Sequence, residues 1–308
     1  MIVLPLLIPS PDISSFDLGP IRIRFYALFI LAGIVAAIWI TSRRLKKAGA
    51  NGEAAVDVAF WAVLFGIVGA RFYHVVTHPS DYFFDGADLL KTLYIWEGGI
   101  AIFGAVVFGA IGIYFGTRRA GIPFLVFADA LVPGLLLAQA IGRLGNYFNQ
   151  ELFGTPTTLP WGLQIDPNSP AFPPDLPVDT LFHPLFLYEL LWNLAGVAVI
   201  LLLSRRKAIG SGVALGIYLL WYGLGRAWFE TFRLDPSQLE ILGIDANIIT
   251  AVIAAMLGVL VVVREIRREK VQLAAVFIAP ATSAGPDSAN VHRSDNDSAD
   301  AQSSRPHE

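Results

Sequence analysis

Between Gly142 and Gly154 the chain gathers one guanidinium, three carboxamides and one carboxylate: Arg143, Asn146, Asn149, Gln150 and Glu151. They follow directly on a long apolar run, Pro123 to Ile141. A guanidinium presents a planar fork of donors that fits a phosphate; carboxamides donate and accept; a carboxylate orients a cation or binds hydroxyls. At the edge of an apolar segment that set suits an anionic headgroup. The competing reading is an arginine that snorkels to water above a hydrated loop. Ionisable groups at membrane depth are functional candidates by default. Gly142, Gly145 and Gly154 allow tight turns and close backbone approach.

A second set lies further on. Tyr222, Arg226 and Glu230 recur at i, i+4 and i+8 and so share one helix face, where Arg226 and Glu230 can pair. A structural ion pair that helps a bundle pack is the alternative. Gln139 with Arg143, and Glu189 with Asn193, share faces in the same way. For the latter two a packing role is at least as strong a reading as a catalytic one.

These residues need elements to position them. The chain has 308 residues, 55% hydrophobic and 15% charged, a balance foreign to soluble domains and sufficient for several spans of about 20 residues. No cysteine is present, which excludes disulfides, thiolate metal sites and a cysteine nucleophile. The five histidines and the carboxylates are not clustered, so neither a metal nor a cofactor is expected. Met1 to Pro9 is apolar but short, lacks a basic start and is broken by prolines; it is not expected to be a cleavable signal peptide.

Seven apolar segments stand out: Phe25–Ile40, Ala54–Val76, Gly98–Gly116, Pro123–Ile141, Pro184–Leu203, Gly212–Phe229 and Ile248–Val263. The expected fold is an all-α integral membrane protein with seven transmembrane helices. Basic residues follow alternate segments: Arg43, Arg44, Lys46 and Lys47; Arg118 and Arg119; Arg205, Arg206 and Lys207; Arg264, Arg267, Arg268 and Lys270. The positive-inside rule then places the N-terminus outside and the C-terminus in the cytoplasm. The proline-rich connection between spans four and five, residues 143–183, becomes an outer cap or arm. Residues 1–279 form the membrane domain. Residues 280–308, rich in Ala, Ser, Asp and Pro, read as a disordered cytoplasmic tail.

This topology brings Tyr26, Arg71, Arg143, His183, Glu189, Tyr222, Arg226, Glu230 and Arg233 to one depth, the outer leaflet, leaving Asp57 and Asp129 as exceptions near the inner ends. A transporter or flippase would need polar groups near the midplane as well. A non-catalytic membrane receptor would have no reason to set Arg, Tyr and Glu at helical spacing inside the leaflet. Nucleic-acid binding is not expected, because the basic residues are span anchors.

The stretch from Gly142 to Gly154 also resembles the signature of the bacterial prolipoprotein diacylglyceryl transferases, Gly-Arg-x-Gly-Asn-Phe-x-Asn-x-Glu-x-x-Gly, with Tyr147 where Phe is usual. Further stretches are similar to that family's in order and spacing. They are Arg24-Phe25-Tyr26, Gly69-Ala70-Arg71, His183-Pro184 through Tyr188-Glu189, and Tyr222-Gly223 through Arg226, Glu230 and Arg233. One position departs: where many members carry a His in a Phe-His-Gly context, this chain has Phe103.

The resemblance implies a multi-pass protein of the bacterial plasma (inner) membrane with its active site at the outer leaflet. It implies transfer of the diacylglyceryl group from phosphatidylglycerol to the lipobox cysteine thiol of preprolipoproteins, with a thioether formed and glycerol 1-phosphate released. On that basis Arg143 and Arg226 are expected on the phosphodiester, with Arg226 stabilising the leaving phosphate. Asn146 is expected on headgroup oxygens, and Glu151 on the headgroup glycerol or on Arg143. Gly154 would close the loop. Tyr26 and Tyr222 would donate near the phosphate, Glu230 would orient Arg226, and Arg71 and Arg233 would add to lipid binding. For the thiol proton three readings stand: His183, then His74, or no dedicated base and an arginine field that lowers the thiol pKa. Both substrates live in the membrane, so lateral openings to lipid are expected.

Overall fold

The computed structural model describes residues 7–203, 205, 212–234, 240–241 and 243–278. The expected tail, Arg206 and Lys207 lie outside them. The chain forms two compact units, Met1–Ile266 and Arg267–Glu308; of the second, only the end of the last helix is described.

The protein is mostly helical. The described helices are α1 (Phe25–Lys47), α2 (Ala54–Thr77), α3 (Ile102–Arg119), α4 (Phe124–Asn149), α5 (Leu185–Leu203), α6 (Val213–Glu230) and α7 (Ala246–Ile278). Five of these, α1, α2, α4, α5 and the part of α7 up to Arg268, are long and apolar enough to cross a membrane. The other two are the shortest, at 18 residues each. Charge lowers their apolarity further: Arg118 and Arg119 end α3, and Arg226 and Glu230 lie in the last two turns of α6.

Where the apolar segment Gly98–Gly116 suggested a helix from Gly98, α3 starts at Ile102. Gly98 and Gly99 have φ of 91° and 68°, incompatible with a right-handed helix. They end a connection of three short 3-10 turns that joins α2 to α3.

α4 is the central helix of the first unit. Half of its apolar stretch is buried, against 17–33% in the other four candidate spans. It packs on α1 and α5, while α2 packs mainly on α3. Between apolar helices in lipid, small residues allow the close approach that dispersion requires. On α4, Gly134 follows the buried Pro133, and a Cβ there would lie 2.9 Å from the Ala37 backbone of α1. α6 meets α7 in the same manner, through Gly216 and Gly223 against Gly258 and Ala251.

At one end of the bundle the segment between α4 and α5 folds around an apolar cluster of its Phe153, Leu163, Ile165 and Phe182 together with Phe186 of α5. Among the strands described, β1 (Ser15–Leu18) and β2 (Ile21–Arg24) form an antiparallel hairpin that runs into α1. β3 (Leu163–Gln164) pairs antiparallel with β4 (Leu181–Phe182) inside the lobe, and Ile8 adds a parallel bridge to Leu163. The starts of α1, α3, α5 and α7 share the lobe end with the finishes of α2, α4 and α6. The basic clusters of α1 and α3 finish at the opposite end, with Arg44, Lys46, Lys47, Arg118 and Arg119 in last turns, where cations favour the helix dipole.

Both acidic exceptions have structural roles at that opposite end. Asp57 lies in the first turn of α2, favourable to the dipole. Asp129, 1% exposed, reaches from α4 to the start of α6. Its carboxylate accepts from Gly212 N (2.8 Å) and Leu215 N (3.0 Å), capping a helix that supplies no cap of its own. We expect Asp129→Ala to cost about 1–2 kcal/mol, read as a lower melting temperature in detergent, and Asp129→Asn to cost less. An unchanged melting temperature for Asp129→Ala would contradict the capping role.

Candidate active site

A cavity of about 410 Å³ opens near the lobe end, between α1, α3, α4, α5 and α6. Tyr26, Arg143, Asn146, Glu189, Tyr222 and Arg226 supply its polar wall. One turn deeper, Gln139 of α4 and Asn193 of α5 line it as well. Ile30 and Ile34 of α1 and Ile102 and Val106 of α3 form an apolar wall. Of these Ile30, Ile102 and Val106 are exposed on the bundle surface, so the cavity borders an apolar outer face.

Each cavity arginine is held by a carboxylate. Arg143, near the end of α4, pairs through Nη2 with Glu189 Oε2 in the first turns of α5. Its Nη1 donates to Asn146 Oδ1 at 3.3 Å, Asn146 Nδ2 donates to Glu151 Oε1 at 2.9 Å, and Asn149 Nδ2 donates to the same oxygen at 3.3 Å. Among the described contacts, Glu151 reaches Arg143 through Asn146. The pairing that orients Arg143 directly comes from Glu189, a residue whose face on α5 was visible in sequence but whose partner was not. A charge inside so apolar a segment demands a partner; that demand was the available signal.

Arg226 Nη1 pairs with Glu230 Oε2 at 2.8 Å, the contact its i+4 spacing allows. Asn247 Nδ2, at the start of α7, donates to Glu230 Oε1 at 3.0 Å. An arginine has five donors. With part of each fork engaged by its carboxylate, the rest can face the cavity, and two such forks can grip one tetrahedral anion from two helices.

α5 and α6 are locked together by a reciprocal tryptophan clasp. Trp192 Nε1 donates to the Trp221 carbonyl (3.2 Å) and Trp221 Nε1 to the Trp192 carbonyl (3.1 Å), with ring centroids 4.3 Å apart. Gly196 and Gly225 lie against the two indoles and leave room for them. The clasp lies three residues from Glu189 on α5 and five from Arg226 on α6, so it helps set the spacing of the two ion pairs.

The remaining candidates lie outside this cavity. Gly154 is a junction: its N donates to the His183 carbonyl (2.9 Å), and the next residue's N donates to the Phe232 carbonyl (2.8 Å). Arg233 bridges Gly154 through its backbone and buries an Nε that has no hydrogen-bond partner among the described residues. His183 contacts Tyr188 Oη at 3.3 Å and meets Phe232 edge-on; it does not line the cavity. His74 stacks on His78 (4.4 Å) and lines a separate pocket with Arg71.

Arg71, 6% exposed, clamps the connection between α2 and α3. It donates to the carbonyls of Lys91 (2.5 Å), Thr92 (2.8 Å), Gly98 (2.8 Å) and Gly99 (2.9 Å). The left-handed glycines point those last two carbonyls inward, a role their sequence did not reveal. Phe103 rests 6.2 Å from the Tyr73 ring, while its neighbour Ile102 faces the cavity.

Fold and site together define a multi-pass membrane protein with an arginine-lined cavity at one end of its helix bundle. The family model of the prolipoprotein diacylglyceryl transferases matches residues 14–264. A phosphatidylglycerol–prolipoprotein diacylglyceryl transferase of Leifsonia xyli subsp. xyli is 54% identical over 261 residues, covering 82% of this chain and 78% of the relative. Proteins of the same name from Frankia alni (47%; 85% and 68% covered) and Bifidobacterium adolescentis (44%; 82% and 78%) are similar too. The chain belongs to the prolipoprotein diacylglyceryl transferase family.

Two predictions follow from these contacts. Glu189→Gln removes a charge-assisted contact and should cost about 1.5–3 kcal/mol, seen as a lower melting temperature; an unaltered melt would mean that Arg143 is held elsewhere. A Cβ at Gly154 would lie 2.8 Å from His183 Cβ and 3.0 Å from the Phe232 carbonyl oxygen. Gly154→Ala should therefore speed proteolysis within residues 155–183, and an unchanged digestion pattern would contradict the junction.

Proposed function

We propose that the cavity binds phosphatidylglycerol and passes its diacylglyceryl group to the thiol of a lipobox cysteine in a preprolipoprotein. The thiolate sulfur attacks the glyceryl carbon next to the phosphate ester. The new S–C bond forms as the C–O bond breaks, and glycerol 1-phosphate leaves with the electron pair. The observation that carries this reading is the pair of carboxylate-held arginines, Arg143 and Arg226, facing one cavity from two helices beside an apolar outer face.

In this reading both guanidinium groups grip the phosphodiester, and Arg226 takes the charge that grows on the leaving phosphate. Fixed donors aimed at developing charge need no reorganisation during reaction. Asn146, oriented by Arg143 and Glu151, binds headgroup oxygens; Tyr26 and Tyr222 donate beside it. Glu230 and Glu189 are positioning residues. With His183 and His74 away from the cavity, the arginine field lowers the thiol pKa and favours the thiolate, the proton passing to water at the lobe end. Holding the two substrates in line supplies much of the remaining gain.

The topology we propose has seven spans, with α3 and α6 crossing beside the five apolar helices. The N-terminus is outside and the C-terminus in the cytoplasm of a bacterial plasma membrane. The lobe between α4 and α5 is an outer cap, residues 1–279 are the membrane domain, and residues 280–308 are a cytoplasmic tail. The basic last turns of α1 and α3 support this orientation.

The test is a transfer assay in detergent with phosphatidylglycerol and a lipobox peptide carrying one cysteine. Wild type should release glycerol phosphate only when the peptide has its thiol. Arg143→Ala and Arg226→Ala should each lose about a hundredfold or more. Loss of a general base would be of similar size, and we expect His183→Gln to fall well short of it. Thiol-independent release, or none from folded wild type, would overturn the reading.

A further inference from the structure

Two carboxamides, Gln139 and Asn193, line the cavity one helical turn below the Arg143–Glu189 pair. Gln139 is four residues before Arg143 on α4, and Asn193 is four residues after Glu189 on α5. Because the two helices run in opposite directions, both side chains lie about 6 Å farther from the lobe end. They are uncharged, and they face each other's side of a cavity whose next layer is apolar.

Gln139 is only partly paired among the described residues. Asn193 is 8% exposed and presents its amide to the cavity it lines. Gln139 Nε2 is 3.1 Å from Tyr218 Oη, while its Oε1 is buried without a partner. A half-turn of this amide preserves the Tyr218 contact, because a hydroxyl donates as readily as it accepts. It then leaves the two N–H donors where the orphaned oxygen now sits. A buried polar atom left unpaired calls for an explanation, and beside a cavity a ligand acceptor is one.

We infer that Gln139 and Asn193 recognise the ester carbonyls of the diacylglyceryl group. The inference rests on the phosphatidylglycerol reading above. With the phosphate at Arg143 and Arg226, the next polar atoms along the lipid, a few bonds deeper, are the two ester carbonyls. These are neutral acceptors and call for neutral donors, which a carboxamide supplies and an arginine would oversupply. Glycerol hydroxyls lie on the other side of the phosphate, toward the lobe. The carboxamides thereby set the depth of the glyceryl carbon relative to the leaving phosphate, and make the site selective for ester-linked over ether-linked lipid.

The experiment compares diester phosphatidylglycerol with its dialkyl-ether counterpart of equal chain length, first in binding to the purified full chain and then in transfer to the peptide thiol. Wild type should bind the diester about fivefold more tightly for each carbonyl engaged. Asn193→Leu, which removes no hydrogen bond seen among the described residues, should weaken diester binding about fivefold and leave ether binding unchanged. Gln139→Leu should do the same at some loss of melting temperature, since Tyr218 loses its partner. Equal binding of both lipids by wild type, or equal weakening of both by Asn193→Leu, overturns the inference. An ester preference in binding without any transfer would uphold the carboxamide site while overturning the transferase reading.

Discussion

A buried charge in an apolar bundle must be paired, and the ion pair between Arg143 and Glu189 is the contact from which the rest of the cavity is built. It ties the end of α4 to the start of α5 across the base of the lobe. It fixes the guanidinium from which Asn146 takes its orientation, and through Asn146 it reaches Glu151. The second pair, Arg226 with Glu230, repeats the arrangement on α6 and is anchored to α7 by Asn247. Each arginine arrives with its own counter-charge. The cavity can therefore exist without ligand, and still offer donors to an anion that enters it.

What holds the two pairs at a working distance is packing rather than charge. Glycines let α1 approach α4 and let α6 approach α7. The Trp192–Trp221 clasp fixes α5 against α6. Asp129 caps α6 from α4 at the far end of the same helix that carries Arg226. α4 thus meets the start of α6 at one extreme through a structural carboxylate, and the start of α5 at the other through a site guanidinium. Lipid offers little hydrophobic drive between helices, so small residues and a few directional bonds carry this positioning.

Much of this was legible in the sequence because it is local. The period of Tyr222, Arg226 and Glu230 put the first two on one cavity wall and paired the last two. The basic residues after the first and third apolar segments marked one common end of α1 and α3. What was not legible depends on partners distant in sequence. Glu189 announced only that it needed a cation, and Arg143 lies 46 positions away. Arg71 carried the same kind of motif as Arg143, yet it is spent on four backbone carbonyls of the connection to α3. Two left-handed glycines create that difference, and nothing in their spacing shows it. Asp129 resembled a misplaced charge until the uncapped start of α6 was beside it. The start of α3 at Ile102 reflects the same glycine pair overriding an otherwise helical pattern.

The central claim is that Arg143 and Arg226 grip one phosphate together. A double-mutant cycle on phosphatidylglycerol affinity tests it most directly, with Arg143→Gln, Arg226→Gln and the double variant measured in the same detergent. Residues that share a ligand atom couple, so the account predicts an interaction energy of about 1 kcal/mol or more, with the double variant losing less than the sum of the singles. Losses that add to within about 0.5 kcal/mol would show two independent contacts and contradict the account.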